Sequence, residues 1–307
     1  TERTTVIRND WGVDGQDYGF WPMLFGGFFL YAAYYGCDQS QTQRILSAQS
    51  DAASKRVLLL NGLLRFPLVL SYCLLGLGLA AFAAQNSSFV TNLPLTGAGQ
   101  PNFNLAFPMY VLDNFAPGFV GLVMVGLLAA AMSSIDSAIN SLSAATMEDF
   151  VRPRRQLTDR QVLRWSRGFT LFWGVACIVF SFQVERNAPT ILEAVNKVGS
   201  MFNGPLLALF VTALLLRNVP QRFALSGFVL GLLTNLGLAL GAPQVSWLWW
   251  NAAGFLVAML WVGIAMSLSR VEISVSRYQY PQLKMSIGAL GMMAAVILVF
   301  SFVLQSF

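Results

Sequence analysis

The sequence predicts an all-α membrane protein that crosses the bilayer about eight times, and three observations carry that expectation. Hydrophobic residues fill 56% of the 307 positions and charged residues only 11%, against about 25% charged in soluble domains. Apolar runs recur at the length of about 17–25 residues that a helix needs to cross the hydrocarbon core. The basic residues gather in alternate connections between those runs.

Eight runs meet the length requirement: Gly19–Cys37, Val57–Ala84, Gly118–Met147, Gln161–Val184, Thr190–Leu216, Phe223–Leu240, Trp247–Leu268 and Met285–Phe307. Most carry no charge across their centres. Helix satisfies every backbone group within one segment, whereas a barrel would alternate polarity over shorter stretches. The connection 39–56 holds Arg44, Lys55 and Arg56, and 85–117 holds no basic residue. The stretch 150–167 then carries Arg152, Arg154, Arg155, Arg160, Arg164 and Arg167. One basic residue, Arg186, marks the next turn, and Arg217 and Arg222 mark the one after. The turn near Pro243 has none, and 269–284 holds Arg270, Arg277 and Lys284. Fourteen of the 19 basic residues thus fall on one face, which the positive-inside rule makes cytoplasmic, with both termini of this chain outside. The expected location is a cell membrane.

Residues 1–18 read as an outer lead, and the Pro- and Gly-rich connection 85–117 as an ordered outer lid. The chain opens at Thr1 without a methionine or a signal-peptide pattern, as expected of a chain entered partway through a longer protein. The net charge of +5 follows topology, and no nucleic-acid partner is expected. Cys37, Cys73 and Cys177 lie in apolar stretches and read as small buried hydrophobes. Histidine is absent, which removes the commonest general base and metal ligand. No nucleophile–base constellation is visible, so an enzyme is not expected.

Polar residues inside membrane spans are costly and mark sites, and four places stand out. Tyr31, Tyr34 and Tyr35 precede Gly36, Cys37, Asp38 and Gln39. They read either as an interfacial aromatic belt or as a site that Gly26, Gly27 and Gly36 let pack closely or unwind. Arg65, with Pro67 behind it, either lines a pathway or snorkels to the interface. The run Ala130 to Ser141 includes Ser133, Ser134, Asp136, Ser137 and Asn140. Its small residues suit a helix seam, but a seam needs no carboxylate. The carbonyl of Ala130 and the hydroxyls of Ser133 and Ser134 offer three hard oxygens from one turn, and a second element must complete a sodium cage. Glu193 and Lys197 stand at i and i+4 as a structural pair. The alternative reading of this stretch is that Asn203-Gly204-Pro205 is a break that opens the helix onto a cavity.

These stretches resemble the sodium/solute symporter family, whose members include sodium–glucose, sodium–proline and sodium–iodide carriers. Tyr34-Tyr35-Gly36-Cys37-Asp38-Gln39 through Gln43-Arg44 is similar to the family's aromatic-Gly signature. Ala130 to Ser143, running on to Glu148-Asp149, resembles its sodium-site helix, and Glu193 to Pro205 its last core helix. The resemblance implies an inverted pair of five-helix repeats. Residues 19–216 would be the second repeat and 217–307 three peripheral helices. It implies sodium at Ala130, Ser133 and Ser134, with Tyr34 as an aromatic gate. Tyr31, Gln39, Arg65, Asp136 and Asn203 would line the substrate pathway, Asp136 either coordinating cation or pairing with Arg65.

The first repeat is absent from this sequence, and alternating access rocks one unit against another. The expectation is therefore part of a sodium-coupled importer of a small organic solute or anion, not competent without its N-terminal half. A symporter-like sensor or input domain, or an inactive fragment, is the alternative.

Overall fold

The computed structural model describes residues 8–96, 99–187, 191–271, 274–275 and 283–305. At 183–187, 191–194, 275, 283–285 and 302–305 only the backbone is described. A π-helical segment, Pro22–Gly26, leads into α1 (Gly27–Cys37), followed by α2 (Gln39–Leu46) and α3 (Asp51–Gln85). The short α4 (Ser87–Thr91) and α5 (Ala106–Asn114) precede the long α6 (Pro117–Ala145) and α7 (Asp159–Asn187). The remaining helices are α8 (Ile191–Leu215), α9 (Gln221–Gly241), α10 (Leu248–Leu268) and α11 (Leu283–Gln305). A two-residue antiparallel ladder pairs β1 (Leu216–Arg217) with β2 (Ser274–Val275).

Local chemistry accounts for several helix starts. Pro117 occupies the first turn of α6, where its missing N–H is no loss. Asp159 opens α7, and Asp51 opens α3, beside the positive end of each helix dipole.

Six helical stretches among the described residues are long and apolar enough to span a bilayer: Asp51–Gln85, Pro117–Arg154, Asp159–Phe182, Val195–Leu215, Gln221–Gly241 and Leu248–Leu268. The chain is thus a multi-pass membrane protein. The first and last of the expected runs are helical as well, as the π-segment with α1 and as α11. They fall short of that measure among the described residues, α11 contributing the shorter apolar stretch Ser286–Ser301.

The chain divides into two compact units, one of residues 1–63 with 192–307 and one of residues 64–191. In the first, glycines bring backbones together. Gly26 lies against the Leu248 carbonyl and Gly204 against the Asn251 carbonyl, so closely that a Cβ at either would overlap the oxygen. At Gly231 a Cβ would come 2.5 Å from the Gly254 carbonyl. The buried amides of Asn235 and Asn251 meet at Ser200. Asn235 Nδ2 donates to the carbonyls of Ser200 (3.3 Å) and Met201 (2.8 Å), and Asn251 Nδ2 donates to Ser200 Oγ (3.0 Å).

This seam corrects one expectation. The Asn203-Gly204-Pro205 sequence does not break its helix: α8 runs through it without interruption, with Gly204 and Pro205 buried. The missing side chain of Gly204 admits the neighbouring backbone, and Pro205 fills the space beside Gly231 and Gly254. Lys197 is bound to Asp17 at 3.4 Å, and the Glu193 side chain of the expected i, i+4 pair lies outside the described residues.

Residues 8–21 form a strap held by the turn between α9 and α10. Gly15 N donates to the Gln244 carbonyl (2.9 Å), Ser246 N to Gly12 (2.7 Å) and Ser246 Oγ to Asp17 (2.7 Å). Trp249 Nε1 donates to the Trp11 carbonyl at 2.7 Å, and Trp11 stacks on Trp21 with ring centroids 4.9 Å apart. Gly12 has φ +64°, and a Cβ there would meet Pro22 and Ser246.

In the second unit the described residues of the connection 85–117 are folded rather than slack. Phe89, Leu93 and Ala106 are buried together with Phe82 and Tyr110 packed on them. Polar contacts join α6 to α7. Ser143 Oγ donates to the Ser166 carbonyl (2.9 Å), and Trp173 Nε1 donates to Thr146 Oγ1 (3.0 Å).

Two glycine-to-alanine changes separate packing from helix propensity. Gly204→Ala must push α8 away from Asn251 and is expected to destabilise the chain by about 1–3 kcal/mol. Gly237→Ala, on α9 with open space around it, should be neutral or stabilising by up to about 1 kcal/mol. Thermal unfolding of the two purified variants in detergent checks both; an unchanged midpoint for Gly204→Ala would contradict the close contact.

Candidate functional site

Ala130, Ser133 and Ser134 stand at i, i+3 and i+4 on α6, and the structure brings their oxygens together. Ser133 Oγ donates to the Ala130 carbonyl at 3.0 Å and Ser134 Oγ donates to the same carbonyl at 3.2 Å. A helix makes this arrangement available because hydroxyls at i+3 and i+4 both reach back to carbonyl i. Each hydroxyl has one proton, and both protons go to Ala130. The lone pairs of the two Oγ atoms remain free to accept or to coordinate.

Three neutral oxygens on one turn suit a small hard cation of single charge. Divalent ions draw on carboxylates as well, and among the described residues no group of three or more His, Cys, Asp or Glu could hold a metal. The turn is exposed on α6, so it offers a partial ligand set.

Further along α6 the back-bonding repeats. Ser137 Oγ donates to the Ser133 carbonyl (3.0 Å), Ser141 Oγ to Ser137 (2.8 Å) and Thr146 Oγ1 to Leu142 (2.7 Å). Among the described residues the hydrogen-bond partner of Asp136 is Asn140, whose Nδ2 donates to Oδ1 at 3.2 Å, rather than Arg65. Arg65 is exposed on α3, two residues before Pro67.

The other expected residues lie in the unit of residues 1–63 and 192–307. Tyr31 stacks on Tyr35 with centroids 6.4 Å apart, and both line a shallow groove of about 430 Å³ with Gly27 and Phe28. Tyr34 OH accepts from Gln41 Nε2 at 2.7 Å, and Tyr35 OH donates to Asn61 Oδ1 at 2.8 Å. Gln39 begins α2, and Asn203 is half-buried within α8.

Asp38 has a local task. Its backbone is extended at φ −71° and ψ 120°, and its carboxylate accepts from the N–H groups of Ser40 (2.8 Å) and Gln41 (3.2 Å). It is the N-cap that ends α1 and starts α2. The spacing Asp38 to Gln41 is a capping-box pattern that sequence reasoning passed over, although Gln41 turns to Tyr34 instead. Asn61 and Gln41 were likewise missed, since each gains its role from a partner two turns or more away.

A sequence model described as the sodium:solute symporter family matches residues 16–231. The chain belongs to that family. It is 31% identical over 232 residues to the sodium-dependent multivitamin transporter of Oryctolagus cuniculus, covering 74% of this chain and 35% of that protein. Against sodium-coupled monocarboxylate transporter 1 of Mus musculus it is 30% identical over 241 residues, covering 76% and 38%. Against the sodium/iodide cotransporter of Homo sapiens it is 29% identical over 228 residues, covering 73% and 34%. The chain spans a little over a third of the length of these relatives, all of them transporters by name.

The cap reading of Asp38 separates a structural carboxylate from a ligand. Asp38→Ala is expected to destabilise by about 1 kcal/mol through loss of the cap, while Asp38→Asn, also a good cap, should leave the unfolding midpoint nearly unchanged. Equal losses in the two variants would show that the charge, not the cap, matters.

Proposed function

We propose that this chain is part of a sodium-coupled secondary transporter that imports a small organic solute or anion by alternating access. The observation that carries this reading is the convergence of two hydroxyls on one carbonyl in a membrane helix of a sodium:solute symporter. Ala130, Ser133 and Ser134 would hold the sodium ion, which supplies the electrochemical driving force when bound.

The reading includes eight crossings, with residues 19–216 as the second repeat of an inverted pair and 217–307 as three peripheral helices. Residues 1–18 and the folded connection 85–117 would then face the outside of a cell membrane, as would both ends of this chain. The alternation of Arg and Lys among the connections supports that orientation. Tyr31, Tyr34, Gln39, Arg65, Asp136 and Asn203 would face the solute pathway. Arg65 favours an anionic group, because a guanidinium binds carboxylate through paired hydrogen bonds. The remainder of the scaffold would come from residues that the longer relatives possess and this sequence does not contain.

Two measurements test the reading. In a full-length parent, Ser133→Ala and Ser134→Ala should each raise the sodium concentration for half-maximal uptake about tenfold or more, the scale of losing one bond to a charged partner. An unchanged sodium dependence rejects the site. In proteoliposomes, the 307 residues alone should show no sodium-driven uptake; uptake by this chain by itself would refute the need for further residues.

A further inference from the structure

The stretch from Arg152 to Arg167 holds six arginines, and three of them are engaged. Arg152 donates to both oxygens of Glu148 at 2.7 and 2.9 Å. Arg154 donates to the Phe150 carbonyl at 2.9 Å, and the Arg155 guanidinium lies over the Trp165 ring, 5.5 Å from its centroid. The other three, Arg160, Arg164 and Arg167, stand at i, i+4 and i+7 on α7, a spacing that aligns them on one stripe. All three are exposed, and among the described residues none makes a hydrogen bond or ion pair.

Their depth is set by the helix that carries them. From Phe169 to Phe182 α7 has no charged residue, and that run rises about 21 Å, so the stripe occupies the charged end of the span Asp159–Phe182, within snorkelling reach of the interface. At about 1.5 Å per residue, Arg160 to Arg167 covers about 10 Å, a little more than the headgroup layer of about 5–8 Å on each face of a bilayer. Trp165, exposed beside the stripe, is the residue type that settles at that level. The nearby carboxylates are too few to neutralise the cluster: Glu148 is held by Arg152, leaving Asp149 and Asp159.

We propose that Arg160, Arg164 and Arg167 form a docking stripe for the phosphates of anionic lipid headgroups. Guanidinium groups bind phosphate oxygens in pairs and are weakly hydrated, which suits the interface. Membrane insertion of α7 keeps the stripe's guanidinium groups within reach of lipid phosphates. The inference needs only that α7 spans the bilayer, and it is independent of the sodium site and of the solute.

The test is lipid retention by the purified 307-residue chain, measured by native mass spectrometry after exposure to equal amounts of phosphatidylglycerol and phosphatidylcholine. The expected result is a preference for phosphatidylglycerol of about a hundredfold, with each arginine contributing about fivefold. Replacing all three by Gln should abolish the preference, and replacing all three by Lys should keep most of it. A control that removes Arg44, Lys55 and Arg56 together should leave it intact. Survival of the preference in the triple Gln variant, or an equal loss in the control, overturns the proposal. Displacement of the lipid by millimolar inorganic phosphate also overturns it, in favour of a soluble-anion site. If the triple Gln variant does not fold, Arg164→Gln alone should lower retention about fivefold, and no change would count against the stripe.

Discussion

Within a bilayer a hydroxyl group has nowhere to send its proton except to the protein, and the nearest acceptor is the carbonyl one turn back along its own helix. That constraint shapes α6. Ser133 and Ser134 both satisfy it on Ala130, and the result is more than internal neutrality. Two oxygens with unused lone pairs are fixed beside a carbonyl oxygen, so a hydrogen-bonding necessity produces a small cluster of hard donors. Ser137, Ser141 and Thr146 back-bond in the same way, each to a different carbonyl.

Six of the eight expected spans were legible because the physics that sets them is one-dimensional: length and absence of charge. The serine turn was legible for a related reason, since i, i+3 and i+4 on a helix fix proximity without knowledge of any other element. Asp38 and Gln39 were recognised as part of a motif, but the capping geometry shows that Asp38 serves the backbone of α2. Gly204 and Pro205 misled, because in isolation they are helix breakers. Their context inverts that meaning: the glycine makes room for the Asn251 carbonyl and the proline fills the gap beside two further glycines. Contacts of this kind depend on a partner about 50 residues away, and no local pattern announces it.

Polar groups inside this protein are handled in two ways. Along α6 the hydroxyls of Ser133, Ser134, Ser137 and Ser141 turn to their own backbone, while Ser143 reaches α7. In the seam of α8, α9 and α10 they reach between helices, where Asn235 and Asn251 both meet Ser200. The first satisfies a hydroxyl without a neighbouring helix. The second ties neighbours together, and small residues supply the close approach that the amides need.

The strap at residues 8–21 has a consequence for how the molecule is assembled. Its anchors, Ser246 and Trp249, lie 229 and 238 positions beyond the groups they hold. A ribosome adding about 5–20 residues per second needs tens of seconds to supply them. Trp11 and Trp21, which stack in the finished protein, must wait through that interval without the partner that fixes them. The earliest residues described are thus among the last to acquire their final surroundings, and their closure signals that synthesis has passed α10's first turn.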